Sequence, residues 1–95
     1  MSRFEFEWDP AKARRNLRTH GVSFEEAASV VENESSIAQE DVEHSEYEER
    51  DRVIGFSDKG RMIVVIVTGR GAKVRVISAR KATRREIEQY GDSQA

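Results

Sequence analysis

Apolar and charged side chains alternate strictly at the start of the chain. The apolar residues are Phe4, Phe6 and Trp8, and a charged residue precedes each of them. A period of two residues places these three side chains on one side of an extended segment. The pattern therefore predicts a half-buried strand over residues 3–8.

A helix is predicted directly after this strand. Asp9 is a good capping residue, and Pro10 suits the first helical position because no backbone hydrogen bond is lost there. Gly21 suits the position after the last turn, so the helix is expected over residues 10–20. Helical periodicity gives it an apolar ridge and, beside it at the boundary between core and solvent, a polar ridge. The apolar ridge is Pro10, Ala13 and Leu17, and the polar ridge is Lys12, Asn16 and His20.

A second helix is expected from Ser23 to about Asn33. Ser23 and Glu26 have the spacing of a capping box, and apolar residues follow at helical spacing. Residues 37–42 are interpreted as an edge strand, and residues 40–49 as an acidic connection between elements.

Three strands and a last helix are predicted in the second half of the chain. The strands are expected over residues 50–56, 62–68 and 73–80, with glycine-containing turns between them. The middle strand is apolar on both faces and is therefore expected at the centre of the sheet. Thr83 and Glu86 form a capping box for a helix that runs to about Tyr90.

These elements predict one α+β domain over residues 1–95, with an ordered core over about residues 3–90. Its expected architecture is an antiparallel β-meander with two N-terminal helices and one C-terminal helix. Ninety-five residues leave no room for a second domain. No signal peptide or membrane-length apolar run is visible, so a cytoplasmic protein without membrane contact is expected.

The composition excludes several kinds of chemistry. The chain has no cysteine, which excludes disulfides, thiolate nucleophiles and cysteine-based zinc sites. Two histidines alone make a structural zinc site a poor interpretation, and no metal or cofactor is expected.

The net charge of -2 conceals a strong segregation of charge along the chain. Residues 21–51 contain one basic and 11 acidic residues, whereas residues 52–95 contain ten basic and four acidic residues. Such asymmetry indicates either a charged partner, such as a polyanion, or charges that pair across the fold.

Arginines interrupt the predicted strands. Arg50, Arg52, Arg75 and Arg80 would form a rigid cationic surface if they shared a sheet face, and guanidinium groups bind phosphate bidentately. In a regular strand Arg75 and Arg80 fall on opposite faces, so a bulge or the end of the strand is needed to bring them together. The alternative is that these arginines are exposed residues paired with the acidic segment.

Three further residues could carry chemistry. His20 could transfer protons near neutral pH, but a histidine at a helix end also stabilises the helix dipole. Trp8 could stack a base, although its place in the apolar stripe favours the core. His44, in the acidic connection, is interpreted as a surface residue.

Three stretches of the chain resemble the BrnT family, in the right order and across residues 8–86. They are Trp8-Asp9, Lys12, Asn16 and residues 20–27; Glu48-Glu49-Arg50 with Ile54-Gly55; and residues 75–86. The resemblance implies a RelE-like fold and the ribonuclease toxin of a type II toxin–antitoxin pair, which inhibits translation. Tyr47 departs from the expected glycine. Val67 stands where an aromatic residue is expected, which argues against base stacking there.

The resemblance and the chemistry of RNA cleavage together select the candidate residues. Attack of a 2′-OH on the adjacent phosphate needs a base, an acid and cations, and no metal. His20 is expected as general acid or base, Lys12 as phosphate contact or proton donor, and the arginines as clamps. The expected catalytic residues are Lys12, His20, Arg50, Arg75 and Arg80. The expected RNA-binding residues are Arg52, Lys73, Lys81 and Arg84.

The resemblance also implies a partner, a BrnA-like antitoxin with a ribbon-helix-helix part. A heterotetramer of two toxins and two antitoxins is expected, which contacts operator DNA through the antitoxin alone and represses its own operon. Two other functions fit the residues: a nucleic-acid-binding module without catalysis, and an interaction domain for an acidic partner.

Overall fold

The computed structural model describes residues 4–41 and 49–94. The predictions for the acidic connection, Val42, His44 and Tyr47 lie outside the described residues. In chain order the elements are β1 (Glu5–Glu7), α1 (Pro10–His20), α2 (Phe24–Glu32), β2 (Ile37–Glu40), β3 (Asp51–Phe56), β4 (Met62–Arg70), β5 (Lys73–Lys81) and α3 (Arg84–Gln94).

The strands form one mixed sheet in the order β1-β5-β4-β3-β2. Strands β2 to β5 are the expected antiparallel meander, with β4 at the centre and β2 at an edge. β1 differs from a purely antiparallel arrangement, because it runs parallel to β5 and pairs with Lys73–Arg75. A parallel pair needs a long crossover, and the chain from β1 to β5 supplies it.

Helices cover the two faces of this sheet unequally. α1 and α2 lie on one face, where Phe24, Ala27 and Val30 pack against Ile63 and Val65. α3 lies on the other face, where Tyr90 packs against Ile54 and Val64. We call the first face the helical face. We call the second the arginine face, because Arg52, Arg75 and Arg80 lie on it, opposite Ile66, Thr68 and Val64 of β4. Within the described residues, no helix is long and apolar enough to cross a membrane.

The ends of α1 are those predicted from sequence. The Asp9 side chain accepts a hydrogen bond from the Ala11 N–H at 3.1 Å. Gly21 closes the helix in the left-handed region (φ 69°), and its N–H donates to the Leu17 carbonyl at 2.9 Å. That backbone conformation is open to glycine at little cost.

The prediction of an apolar ridge on α1 is wrong at Leu17. Leu17 is 52% exposed, whereas Asn16 on the polar ridge is 8% exposed. The Asn16 amide makes three hydrogen bonds to backbone groups of Val22 and Ala79, so this position of the polar ridge faces β5.

The capping box of α2 forms on one side only. The Ser23 hydroxyl accepts from the Glu26 N–H at 3.0 Å, as predicted. The Glu26 carboxylate, which is buried, instead accepts from the Ser57 hydroxyl at 2.7 Å and from Arg61 Nε at 2.9 Å. These two hydrogen bonds of Glu26 join α2 to the turn between β3 and β4.

α3 has a complete capping box and is longer than expected. The Thr83 hydroxyl accepts from the Glu86 N–H at 3.2 Å, and the Glu86 carboxylate accepts from the Thr83 N–H at 2.8 Å. The helix passes Tyr90, where the sequence predicts its end, and continues to Gln94. Tyr90 anchors it, because its hydroxyl donates to the Ser35 carbonyl at 2.9 Å.

Candidate active site

A β-bulge in β5 determines which side chains share the arginine face. Ile66 of β4 pairs with Ser78, but the next residue, Val67, pairs with Val76, so Ile77 is an extra residue. The extra residue reverses the alternation of the strand. Arg75 and Arg80 therefore lie on the same face, although they are separated by an odd number of positions.

Arg80 and Arg52 meet at a single carboxylate on α3. Arg80 Nη1 and Nη2 donate to the two oxygens of Glu86 at 2.7 and 2.9 Å, which is a bidentate pair. Arg52 Nη2 donates to Glu86 Oε2 as well. Because β4 lies between β3 and β5, Glu86 joins guanidinium groups from strands that do not touch each other.

This arrangement sets the charge states of the cluster. The hydrogen bond from Arg80, with those from Thr83 and Arg52, lowers the pKa of the Glu86 carboxyl far below its usual range, against the opposing effect of burial. The same contact raises the pKa of the Arg80 guanidinium. Glu86 is therefore ionised at neutral pH and cannot serve as a proton donor there.

Arg75 has a weaker partner on the same face. Its Nη1 lies 3.8 Å from the Glu7 carboxylate on the neighbouring β1, too long for a good hydrogen bond. Both side chains are about a quarter to a third exposed, at 26% and 31%. Such a partly exposed pair constrains Arg75 little and leaves its donors available to a ligand.

Lys12 and His20 lie in a cavity on the other side of β5. The cavity has a volume of about 290 Å³, and both residues are exposed along its wall. Its lining is made of Lys12, Arg15, Asn16, Thr19, His20 and Ile77. The polar ridge of α1 and the bulged residue of β5 thus meet in one place.

Asn16 holds this ridge against β5. Its amide donates to the Ala79 carbonyl at 2.8 Å and accepts from the Ala79 N–H at 3.1 Å, as a neighbouring strand would. It also donates to the Val22 carbonyl at 2.9 Å. β1 pairs with β5 only up to Arg75, so Asn16 satisfies backbone groups on the part of the edge that β1 does not reach.

A family of known proteins matches most of the chain. The sequence profile described as "Ribonuclease toxin, BrnT, of type II toxin-antitoxin system" matches residues 8–86. The chain belongs to the BrnT family. The crystal structure of the ribonuclease toxin BrnT of Brucella abortus has a similar fold, with a TM-score of 0.66 and 24% sequence identity over 85% of this chain and 99% of that one. No curated protein sequence matches the chain.

Membership of the BrnT family confirms the resemblance drawn from the three stretches of sequence.

Of the predicted site residues, Arg52 and Arg80 are in contact through Glu86, and Arg75 shares their face. Lys12 and His20 form a separate group in the cavity. Arg50 precedes β3, is half-buried, and accepts a backbone hydrogen bond from the Asp41 N–H at 2.8 Å.

The remaining predicted RNA-binding residues lie at the margins. Lys73 is exposed at the start of β5, opposite Glu5 of β1. Lys81 is exposed at the end of β5, where alternation after Arg80 directs it away from the arginine face. Arg84 is the first residue of α3, and its side chain is 95% exposed. Its Nε lies 3.8 Å from Oε1 of Glu88.

The burial of Trp8 and Val67 decides whether these two positions could stack an RNA base. Trp8 packs edge-to-face against Phe24 with ring centroids 6.0 Å apart, which confirms its place in the core. Val67 is 5% exposed and packs in the core on the helical face. A side chain at this position therefore points away from the arginine face.

Sequence reasoning missed the functions of three polar residues. The helical pattern puts Asn16 on the polar ridge but predicts no partner for it, and it predicts no contact for Arg61. The capping-box spacing predicts the cap at Glu86 but not its contacts with Arg52 and Arg80. The spacing of Thr83 and Glu86 predicts the cap correctly, but no local pattern reveals the two arginines that reach it. Among residues 4–41 and 49–94, no group of three or more histidine, aspartate or glutamate side chains could hold a metal ion.

Replacement of His20 by glutamine is expected to slow RNA cleavage by roughly 10²-fold while RNA binding stays nearly unchanged, because an acid–base group would be lost and the cation cluster kept. Single-turnover cleavage and filter binding measure the two quantities. An unchanged cleavage rate would reduce His20 to a helix-end residue.

Replacement of Asn16 by alanine is expected to lower the free energy of unfolding by roughly 1–3 kcal/mol, because both backbone groups of Ala79 would lose their partner in a buried place. Urea denaturation measures this loss. Thr19→Ala, one turn away on the cavity wall, is the control and should change stability by less than about 0.5 kcal/mol.

Proposed function

We propose that this BrnT chain cleaves RNA without a metal ion, on a RelE-like fold, and thereby inhibits translation in the cytoplasm. The observation that carries the proposal is the bulge at Ile77. It puts Arg75 and Arg80 on one side of β5, with the cavity of Lys12 and His20 on the other side. β1 pairs with β5 only up to Arg75, so an RNA backbone that crosses the strand edge beyond Arg75 would meet the arginines on one side and Lys12 and His20 on the other.

The proposed reaction is a transfer within the RNA backbone. The 2′-oxygen attacks the adjacent phosphorus and loses its proton to a base, and the bond from phosphorus to the 5′-oxygen breaks. The 5′-oxygen receives a proton from an acid, which leaves a 2′,3′-cyclic phosphate and a 5′-hydroxyl. In-line geometry and the surrounding cations lower the barrier of this step.

The side chains divide this work by their proton chemistry. An arginine holds its proton at all relevant pH values, so Arg50, Arg75 and Arg80 stabilise the negative charge of the pentacoordinate phosphorus. His20 transfers the proton, and Lys12 contacts phosphate or donates a proton. Arg52, Lys73, Lys81 and Arg84 hold the flanking RNA.

Incubation of the purified chain with RNA in EDTA tests this proposal. Cleavage with 2′,3′-cyclic phosphate ends supports the metal-independent mechanism. Binding of RNA without cleavage supports a binding module. The absence of both binding and cleavage supports an interaction domain. Cleavage that requires added divalent cations would contradict the proposed mechanism but not the ribonuclease function.

We further propose that the antitoxin of this chain is a BrnA-like ribbon-helix-helix protein. Its dimer would hold two toxin chains in a heterotetramer, and the complex would bind operator DNA through the antitoxin and repress its own operon. An inhibitor with acidic or apolar side chains would cover or sterically block the arginine face, and charge complementarity would speed the association.

Co-expression with the neighbouring gene is expected to rescue growth and to yield a stable complex, whereas the chain alone should be hard to express. Light scattering measures the stoichiometry, and hydrogen exchange should show protection near Arg50, Arg75 or Arg80. Expression of the active chain alone without a growth defect would contradict the toxin function.

A further inference from the structure

Glu86 is the point at which two strands and a helix converge on the arginine face. It receives Arg80 from β5 and Arg52 from β3, and it is itself held by the Thr83 N–H at the start of α3. Its side chain is 13% exposed, against 43% for Arg80. A nearly buried carboxylate therefore accepts hydrogen bonds from two guanidinium groups that remain accessible to solvent.

We propose that Glu86 is a positioning residue of the RNA site, which fixes the guanidinium planes of Arg80 and Arg52 so that the remaining donors of Arg80 meet the negative charge that develops on one phosphate group of the RNA during cleavage. This inference rests on the proposed ribonuclease function. It assigns to Glu86 an effect on RNA that is exerted through the arginines.

The hydrogen-bond donors of Arg80 permit this double use. A guanidinium has five N–H donors in one plane, and Glu86 takes one from each terminal nitrogen. Nη1 also donates to the Lys81 carbonyl, with 3.3 Å between the nitrogen and the oxygen. The edge formed by Nε and Nη2 has no acceptor among the described residues, and such an edge matches two phosphate oxygens.

The charge of the cluster also favours an anion. Two guanidinium groups and one carboxylate leave a net charge of +1 in a partly buried place. Without Glu86, the two cations would repel each other and each side chain would regain the rotamer freedom that the contact removes. Glu86 thus orders both side chains before the substrate arrives, and this preorganisation is what stabilisation of a transition state requires.

Glu86→Gln separates positioning from simple charge. Glutamine keeps an oxygen for the Thr83 N–H, but it cannot hold two guanidinium groups. We expect the single-turnover cleavage rate to fall by about 10²-fold. Affinity for an all-2′-deoxy oligonucleotide, which cannot be cleaved, should stay equal or become tighter, since one negative charge is removed.

Asp92→Asn is the matched control, because it removes one negative charge from an exposed position of the same helix. It should leave the cleavage rate unchanged. Equal cleavage by the Glu86→Gln and Asp92→Asn variants would overturn the proposal. So would faster cleavage by Glu86→Gln, which would show that Glu86 repels the substrate.

A readout without cleavage distinguishes failure of this inference from failure of the ribonuclease function. In the wild-type chain, NMR should show a sharp Nε–H resonance for Arg80 that shifts when inorganic phosphate is added. Glu86→Gln should broaden this resonance, and Asp92→Asn should not. If the wild-type chain cleaves no RNA, the proposed function fails, while a resonance that stays sharp in Glu86→Gln overturns the positioning of Arg80.

Glu86→Asp is a second variant in case Glu86→Gln fails to fold. It keeps the charge but withdraws the carboxylate by one methylene, so cleavage should fall while affinity for the oligonucleotide equals that of the wild type. Loss of native circular dichroism in both variants would show that Glu86 is a structural residue and would overturn the proposal.

Discussion

Replacement of Arg80 by alanine is expected to abolish growth inhibition by this chain while the protein stays folded. Arg80 lies on the arginine face, and its Nε edge is available to phosphate. Loss of such a donor costs roughly 10²–10³-fold in rate, which is enough to remove toxicity. The fold should survive, because Glu86 keeps Arg52 and the Thr83 N–H as partners.

Growth after induction and cleavage by the purified variant measure this effect, and circular dichroism verifies the fold. Arg85→Ala is the control, because Arg85 is an exposed cation of α3 outside the cluster. A soluble Arg80→Ala variant with a native spectrum and full toxicity would exclude Arg80 from the site. An unfolded variant would show that the contact with Glu86 is needed for stability.

The elements that depend on local chemistry could be predicted from the sequence. α1 begins and ends where Asp9, Pro10 and Gly21 indicate, because each acts on backbone groups within one turn. The apolar run of β4 likewise predicts its central place, since a strand covered on both faces must be apolar on both. The BrnT resemblance adds the family, and the profile match confirms it.

The bulge in β5 could not be located from the sequence. A period of two residues places Arg75 and Arg80 on opposite faces, and the sequence indicates only that a bulge would bring them together. Its position at Ile77 follows from the pairing of β4 with β5, which fits Val76 and Ala79 into the same core. The composition of the arginine face therefore depends on packing between distant residues.

The hydrogen-bond partners of Glu26 and Glu86 could not be predicted from neighbouring residues in the sequence either. Glu26 and Glu86 occupy the same position of a capping box, yet only the Glu86 carboxylate returns to its own helix start. Glu26 bonds to Ser57 and Arg61, about thirty residues further along the chain. Likewise, Asn16 is buried because β5 needs a partner for Ala79, a need that appears only when the sheet is assembled.

Replacement of Arg61 by methionine is expected to destabilise the protein by clearly more than removal of an exposed arginine, because it leaves the buried Glu26 carboxylate without its cation. Glu26 is 2% exposed, and Ser57 alone cannot replace the guanidinium. Arg61 also donates to the Gly21 carbonyl at 3.0 Å, so the position of the residue next to His20 would change as well.

Urea denaturation at neutral pH measures this loss, and Arg84→Met is the control. Arg84 has a carboxylate neighbour too, but the pair is exposed, so its removal should cost less than about 1 kcal/mol. A change in Arg61→Met no larger than that of the control would show that the Glu26 pair contributes little to the fold.

The pH dependence of the same variant identifies the group responsible. In the wild type the hydrogen bond from Arg61 lowers the pKa of Glu26, so this contact stabilises the fold at neutral pH and the stabilisation is lost as the pH falls through that lowered value. Without Arg61, burial of Glu26 is opposed only by the hydrogen bond from Ser57 and the charge of Lys59, so the pKa of the carboxyl is higher than in the wild type and Glu26 takes up a proton at a higher pH. The difference between variant and wild type should therefore shrink below the usual carboxyl range. The double variant Glu26→Gln/Arg61→Met should lack this dependence and recover part of the lost stability at neutral pH, because no buried charge remains. A difference that is constant with pH would exclude Glu26 as its origin.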